Sequence, residues 1–212
     1  NDTGVVTIDG DGNFKAVGSG IANVTVSFEG TERFVNSTAY VIINVSINPT
    51  EIIVNDSFEY IVLDLIDLNA SLVPGVAGDL VYYSNDSSVV LVDGGVIRAV
   101  GEGVANVTVS FAGSRVYAPS TEYVIIRVST VPTEIDVVGS LDMNVTDETN
   151  LNASLSPDVG VLKYLSNDTD VVVVDASGNI IAVGEGVAKI TVYFEGTERY
   201  VESHKDVVTS RS

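Results

Sequence analysis

The 212-residue chain contains no cysteine and no tryptophan, one methionine, one histidine and five prolines. Without cysteine it can form no disulfide, no thiolate metal site and no cysteine nucleophile. With the single imidazole of His204, neither a Ser-His-Asp triad nor a pair of histidine metal ligands can be assembled. A solvated loop histidine is expected, and the chain is expected not to be an enzyme. Basic residues are also scarce: ten Lys and Arg stand against 29 Asp and Glu, a formal charge of −19. A polyanion of this strength is repelled by phosphates and anionic membrane surfaces, so no nucleic-acid partner is expected. No run approaches the length of a membrane span and no charged-then-apolar leader is seen, so no membrane insertion is expected in this segment. The acidic residues are scattered rather than blocked, which suits a solubilising surface.

What the chain has in quantity is apolar residues, 45% of the total and dominated by Val and Ile, which favour strands. They recur with a period. "AVGSGIANVTVSF" at 16–28, "AVGEGVANVTVSF" at 99–111 and "AVGEGVAKITVYF" at 182–194 are each 83 residues apart, and "PTEI" at 49–52 returns at 132–135. In the middle copy Ala105, Val107, Val109 and Phe111 alternate with Asn106, Thr108 and Ser110, the period of a strand with one dry face. Gly101-Glu102-Gly103 offers a tight reversal between two strands. It lacks the last glycine of a dinucleotide-binding fingerprint and is followed by a strand.

Strands are predicted in the middle copy near 51–54, 58–63, 65–72, 80–84, 89–92, 96–100, 104–111 and 123–128, with no helical period anywhere. Proline ends a ladder and fixes φ, so Pro49 and Pro132 mark the boundaries, with short semi-rigid linkers. Three units follow: 1–48, a partial domain holding only later strands; 49–131, a complete domain; and 132–212, a domain with an altered last strand. The first unit lacks counterparts of 49–84, three or four strands, and would leave Val5, Ile8, Phe14, Val17, Val24, Val26 and Phe28 on an open face. In the last strand Thr209 and Arg211 replace the inward Ile126 and Val128, which predicts a frayed end, a polar cap or an altered terminus. The loops at 28–38, 111–121 and 194–204 are expected to fold Phe34, Tyr117 and Tyr200 back on the sandwich.

The "SND…VV.VD..G.I.AVGEG.A.VTVSF" run in each repeat resembles the bacterial immunoglobulin-like domains of group 2, found in invasin- and intimin-type adhesins. The following "F.G…Y..S" element is similar to group 3-type repeats, and the whole unit resembles the adhesin-like surface proteins of methanogenic archaea. The resemblance implies an all-β fold of tandem immunoglobulin-like Greek-key sandwiches, the first incomplete, in an extracellular, cell-surface setting. It implies no ligand.

Eleven Asn-x-Ser/Thr sequons occur, at Asn1, Asn23, Asn36, Asn44, Asn55, Asn69, Asn85, Asn106, Asn144, Asn152 and Asn167; Asn48 is excluded by Pro49. Asn23, Asn44 and Asn106 fall on water-facing strand positions, which suits N-glycosylation of a secreted protein; a Ser/Thr/Asn-rich surface is the alternative. Calcium is the one cofactor left open. Asp9, Asp11 and Asn13 imitate the start of a calcium loop, but Gly20 stands where its closing Glu would be, so a hairpin turn is the simpler reading. Glu51 and Glu134 are a second set of carboxylates, expected at the junctions. The expected function is a structural spacer in a surface stalk or fibre, with neighbouring repeats of the same or another copy as partners. The alternatives are a filament subunit, in the limit a homopolymer, completed by strands from a neighbouring molecule, and a glycan- or receptor-binding adhesin module.

Overall fold

The structure, a computed structural model, describes residues 2–210, and these form strands and turns without a helix. The first module has β1 (Val6–Ile8), β2 (Phe14–Ala16), β3 (Gly20–Phe28) and β4 (Ser37–Val45). The middle module has β5 (Ile52–Ile53), β6 (Ser57–Ile61), β7 (Leu65–Asp67), β8 (Ser71–Leu72), β9 (Leu80–Ser84), β10 (Val90–Asp93), β11 (Val96–Ala99), β12 (Gly103–Phe111) and β13 (Ser120–Ser129). The third repeats the same nine: β14 (Glu134–Asp136), β15 (Ser140–Asp142), β16 (Glu148–Asn150), β17 (Ser154–Ser156), β18 (Lys163–Ser166), β19 (Val172–Val174), β20 (Asn179–Ala182), β21 (Ala188–Phe194) and β22 (Ser203–Ser210).

The two nine-strand modules share one topology. A four-stranded sheet runs β6-β13-β12-β9 in one and β15-β22-β21-β18 in the other, a three-stranded sheet runs β10-β11-β7 and β16-β20-β19, and β5-β8 matches β14-β17. The chain crosses repeatedly between sheets, so sequence neighbours are seldom hydrogen-bonded neighbours, as in a Greek key. Each complete module is an immunoglobulin-like β-sandwich. In the third, Ile180 from one sheet and Ile190, Val192 and Val207 from the other are fully buried in a core that also holds Leu155 and Phe194. The alternation along β21 decides this: every second side chain points inward, and a slip of one residue would put all of them in water.

Two compact units are present. One consists of the chain up to Phe58 with Leu65–Arg98 and Val104–Arg127; the other consists of Glu59–Asp64, Ala99–Gly103 and everything from Val128 onward. The residues preceding the repeated prolines each make an isolated parallel bridge, Asn48 to Tyr117 and Val131 to Tyr200. A residue before proline is biased to extended backbone, which is the conformation a bridge needs.

The structure departs from the sequence-based expectation at several points. The strand expected over 65–72 is two strands, β7 and β8, in different sheets. Asn69 between them adopts φ +49°, with its N–H donated to Asp67 Oδ1 at 2.8 Å, and Asn152 repeats this at φ +46°. The first module lacks five strands of the nine rather than three or four. The final strand is fully formed: β22 pairs with β21 from Ser203 to Thr209, and Thr209 is buried because its Oγ1 donates to Ala188 O at 3.1 Å. Arg211 lies outside the described residues. Tyr117 and Tyr200 do fold back, whereas Phe34 is exposed because the 212 residues hold no counterpart of the pre-proline segment for it.

Candidate functional site

His204 sits on β22 opposite Tyr193, exposed, and not in a loop as expected. Among the described residues no three His, Asp or Glu side chains converge as metal ligands would. Glu51 and Glu134 are both exposed. Asp9, Asp11 and Asn13 form the tip of the β1–β2 hairpin. Asp9 Oδ1 accepts the backbone N–H of Asp11 at 3.0 Å and of Asn13 at 2.8 Å, while Oδ2 accepts Asn13 Nδ2 at 2.8 Å. Asp175, Ser177 and Asn179 repeat the arrangement at 2.8, 2.9 and 2.7 Å. Hydrogen bonds from the asparagine side chain, then from its backbone, hold both carboxyls below the ordinary aspartate value. The carboxylates are already occupied in closing a turn, with Gly12 and Gly178 at positive φ.

The sequons divide by role. Asn85 and Asn167 extend the strand pairing: their Oδ1 atoms accept the N–H of Asn106 at 2.7 Å and of Lys189 at 2.6 Å. Asn69 and Asn152 hold the left-handed turns, with Nδ2 donated to Asp67 O and Asn150 O at 3.1 and 3.2 Å. Asn106, expected to face water, is half-buried and its Oδ1 is enclosed without a donor, because β12 lies inside a four-stranded sheet. Asn23, Asn36, Asn44, Asn55 and Asn144 are exposed; Asn1 lies outside the described residues.

The Gly-x-Gly element is structural. A Cβ on Gly184 would collide with the carbonyl oxygen of Asp170, one on Gly18 with that of Gly4, and Gly186 takes φ +152° beside Val171. No phosphate cradle is formed: a strand, β21, follows the element.

The feature that distinguishes the first module is its open face. Phe14 is 52% exposed while its counterparts Ile97 and Ile180 are 0% exposed; Val26 is 57% exposed against 0% for Val109 and Val192. Phe28 is 46% exposed against 4% and 5% for Phe111 and Phe194, and Val41 is 42% exposed against 0% for Val124 and Val207. The causes are specific. The Phe111 ring lies over Gly78 and the Phe194 ring over Gly160, and the first module has no such glycine. The rings of Tyr82 and Tyr164 lie 3.0 Å from where a Cβ would stand on Gly95 and Gly178, whereas Gly12 faces open space. Full burial of a Val or Phe contributes about 1.5–3 kcal/mol, and the first module forgoes roughly half of that at each of these four positions. Val5, Val6 and Ala22 still form a small cluster, against which Ile43 and Val45 pack.

No protein-family profile matches the chain, and no curated protein matches it. Solved structures do. The chain is similar to the S-layer protein rSbsC(31-844) at 15% identity and a TM-score of 0.41, over 96% of this chain and 37% of that one. It is similar to Drosophila N-cadherin EC1-4 at 14% identity and a TM-score of 0.34, over 99% and 64%. The insect immune protein hemolin matches at 11% identity and a TM-score of 0.32, over 98% and 62%. The chain thus spans 37% of the S-layer fragment and 64% of the cadherin fragment.

Proposed function

We propose that the chain is a segment of an extracellular stalk or fibre, built of bacterial group 2/3-type immunoglobulin-like modules, that acts as a mechanical spacer and not as an enzyme. The observation that carries this is recurrence: the same nine strands return in the same sheet order around the same inward-facing stripe, Val107, Val109 and Phe111 of one module matching Ile190, Val192 and Phe194 of the other. Each module secures its own core, and length grows with module number. The net charge of −19 keeps such a surface soluble, and the exposed sequons suit a glycosylated exterior. A carbohydrate-binding platform would need clustered aromatic side chains at one loop end, and the tyrosines are spread over strands and loops.

The open face of the first module is read as a half-sandwich that strands equivalent to 49–84 complete, from the same polypeptide or from a neighbour. Cryo-tomography of native cells with a gold-labelled antibody tests the placement: label on thin projections outside the envelope is expected, and label confined to the cytoplasm overturns the reading.

A further inference from the structure

One ion pair ties a loop to a turn within the second compact unit. Arg199 Nη1 donates to Asp64 Oδ1 at 2.8 Å and to Val62 O at 3.0 Å. Both halves of this clamp occur a second time in the chain, already in shape and without each other.

The loop half is "FEGTER", residues 194–199, and it is identical at 28–33. Thr197 N–H donates to Tyr200 O at 2.8 Å and Arg199 N–H to Thr197 Oγ1 at 3.2 Å; Thr31 N–H donates to Phe34 O at 2.8 Å and Arg33 N–H to Thr31 Oγ1 at 3.3 Å. Gly196 and Gly30 have φ of +76° and +88°. The loop at Arg33 therefore has the conformation that presents Arg199. The middle repeat departs from this, with Val116 in the arginine position.

The turn half is 61–64, and 144–147 copies it. Ile61 N–H donates to Asp64 Oδ2 at 3.1 Å, and Asn144 N–H to Asp147 Oδ2 at 2.7 Å. Leu63 and Thr146 share φ values of +77° and +82°, and their N–H groups donate to Ala99 O and Ala182 O at 2.9 and 2.8 Å. In both turns Oδ2 is held by the turn itself, and in Asp64 Oδ1 is the atom that receives the arginine. Val62, beside the occupied turn, is 2% exposed; its counterpart Val145 is 41% exposed. Arg33 and Asp147 are both exposed.

We infer that the Phe28–Arg33 loop of one copy of this chain docks on the Val145–Asp147 turn of another, Arg33 reaching Asp147 and Val145 O as Arg199 reaches Asp64 and Val62 O. Loop and turn are different surfaces, so the contact is heterologous and extends copies head to tail. This rests on the reading of the chain as an array of equivalent modules but fails separately from it.

The test follows backbone amide shifts of the full chain in about 0.15 M salt, where long-range repulsion between these acidic molecules is screened, up to a concentration of about 1 mM. Concentration-dependent shifts are expected at 28–34 and 143–147 together. They should vanish in Arg33→Asp and in Asp147→Arg and return in the double variant carrying both changes. Mixing the two single variants should restore the shifts as well, since the intact loop of one meets the intact turn of the other and their two reversed residues pair with each other. No shift at either segment at that concentration overturns the contact and leaves the spacer reading standing. Association that survives both reversals and moves Phe14 and Phe28 instead assigns it to the open sheet face, and also overturns the proposal.

Discussion

At the scale of single residues, the carboxylates of Asp9, Asp86 and Asp175 act as turn closers. Each has a carboxyl held below its ordinary value, chiefly by a side-chain hydrogen bond from Asn13, Ser88 or Asn179. A group whose folded pKa is depressed contributes stability that is complete above its unfolded pKa, about 4, and is lost as the pH falls through the lower folded value. Asp175→Ala should therefore lower the melting temperature of the third module by a few degrees at neutral pH. The gap from the parent chain should begin to narrow below a pH of about 4 and close as the pH falls through the lower folded value, and thermal scans followed by circular dichroism at stepped pH check this. The hairpin was legible because Asp, Gly and Asn between two apolar runs permit little else. The break in the strand over 65–72 was not, because a left-handed asparagine leaves the alternation on both sides of it undisturbed. Thr209 misled for the opposite reason: a hydroxyl in an inward position looks like a lost core residue until an acceptor, here Ala188 O, is found beside it.

At the scale of elements, the same strand occurs in two environments. β3 and β12 share "ANVTVSF", yet Phe28 is open and Phe111 is packed over Gly78. Phe111→Ala should cost about 3–5 kcal/mol, the usual range for a buried phenylalanine. Phe28→Ala should leave the urea midpoint of the cooperative transition unchanged and reduce binding of a hydrophobic dye. Equal losses for the two variants would show that the first module's face is covered in solution. That face was visible in the sequence as soon as the period was set, because the absence of counterparts to 49–84 is a matter of alignment. The sheet order was not, since alternation assigns a strand to a dry face without saying which sheet it joins. The Arg199–Asp64 clamp joins residues 135 apart, and no local pattern announces such a pair.

At the scale of the whole molecule, the period of 83 residues was the strongest signal, and it correctly implied repeated sandwiches rather than one large fold. It did not show that Glu59–Asp64 and Ala99–Gly103 group with the chain from Val128 onward. β15 and β22 lie side by side in the same direction, with Ser140, Leu141 and Asp142 opposite Val208, Thr209 and Ser210. One of these strands stands near the beginning of its module and the other at its end. Tension applied along the polypeptide pulls them in opposite directions along their common axis, so their hydrogen bonds are sheared as a group and cannot be unzipped singly. A single molecule stretched by its termini should show a rupture peak for this module that falls sharply when Leu141→Pro removes a rung and much less when Leu141→Ala trims only the side chain that packs on the core. A domain wired in this way resists a steady drag far better than its modest size suggests.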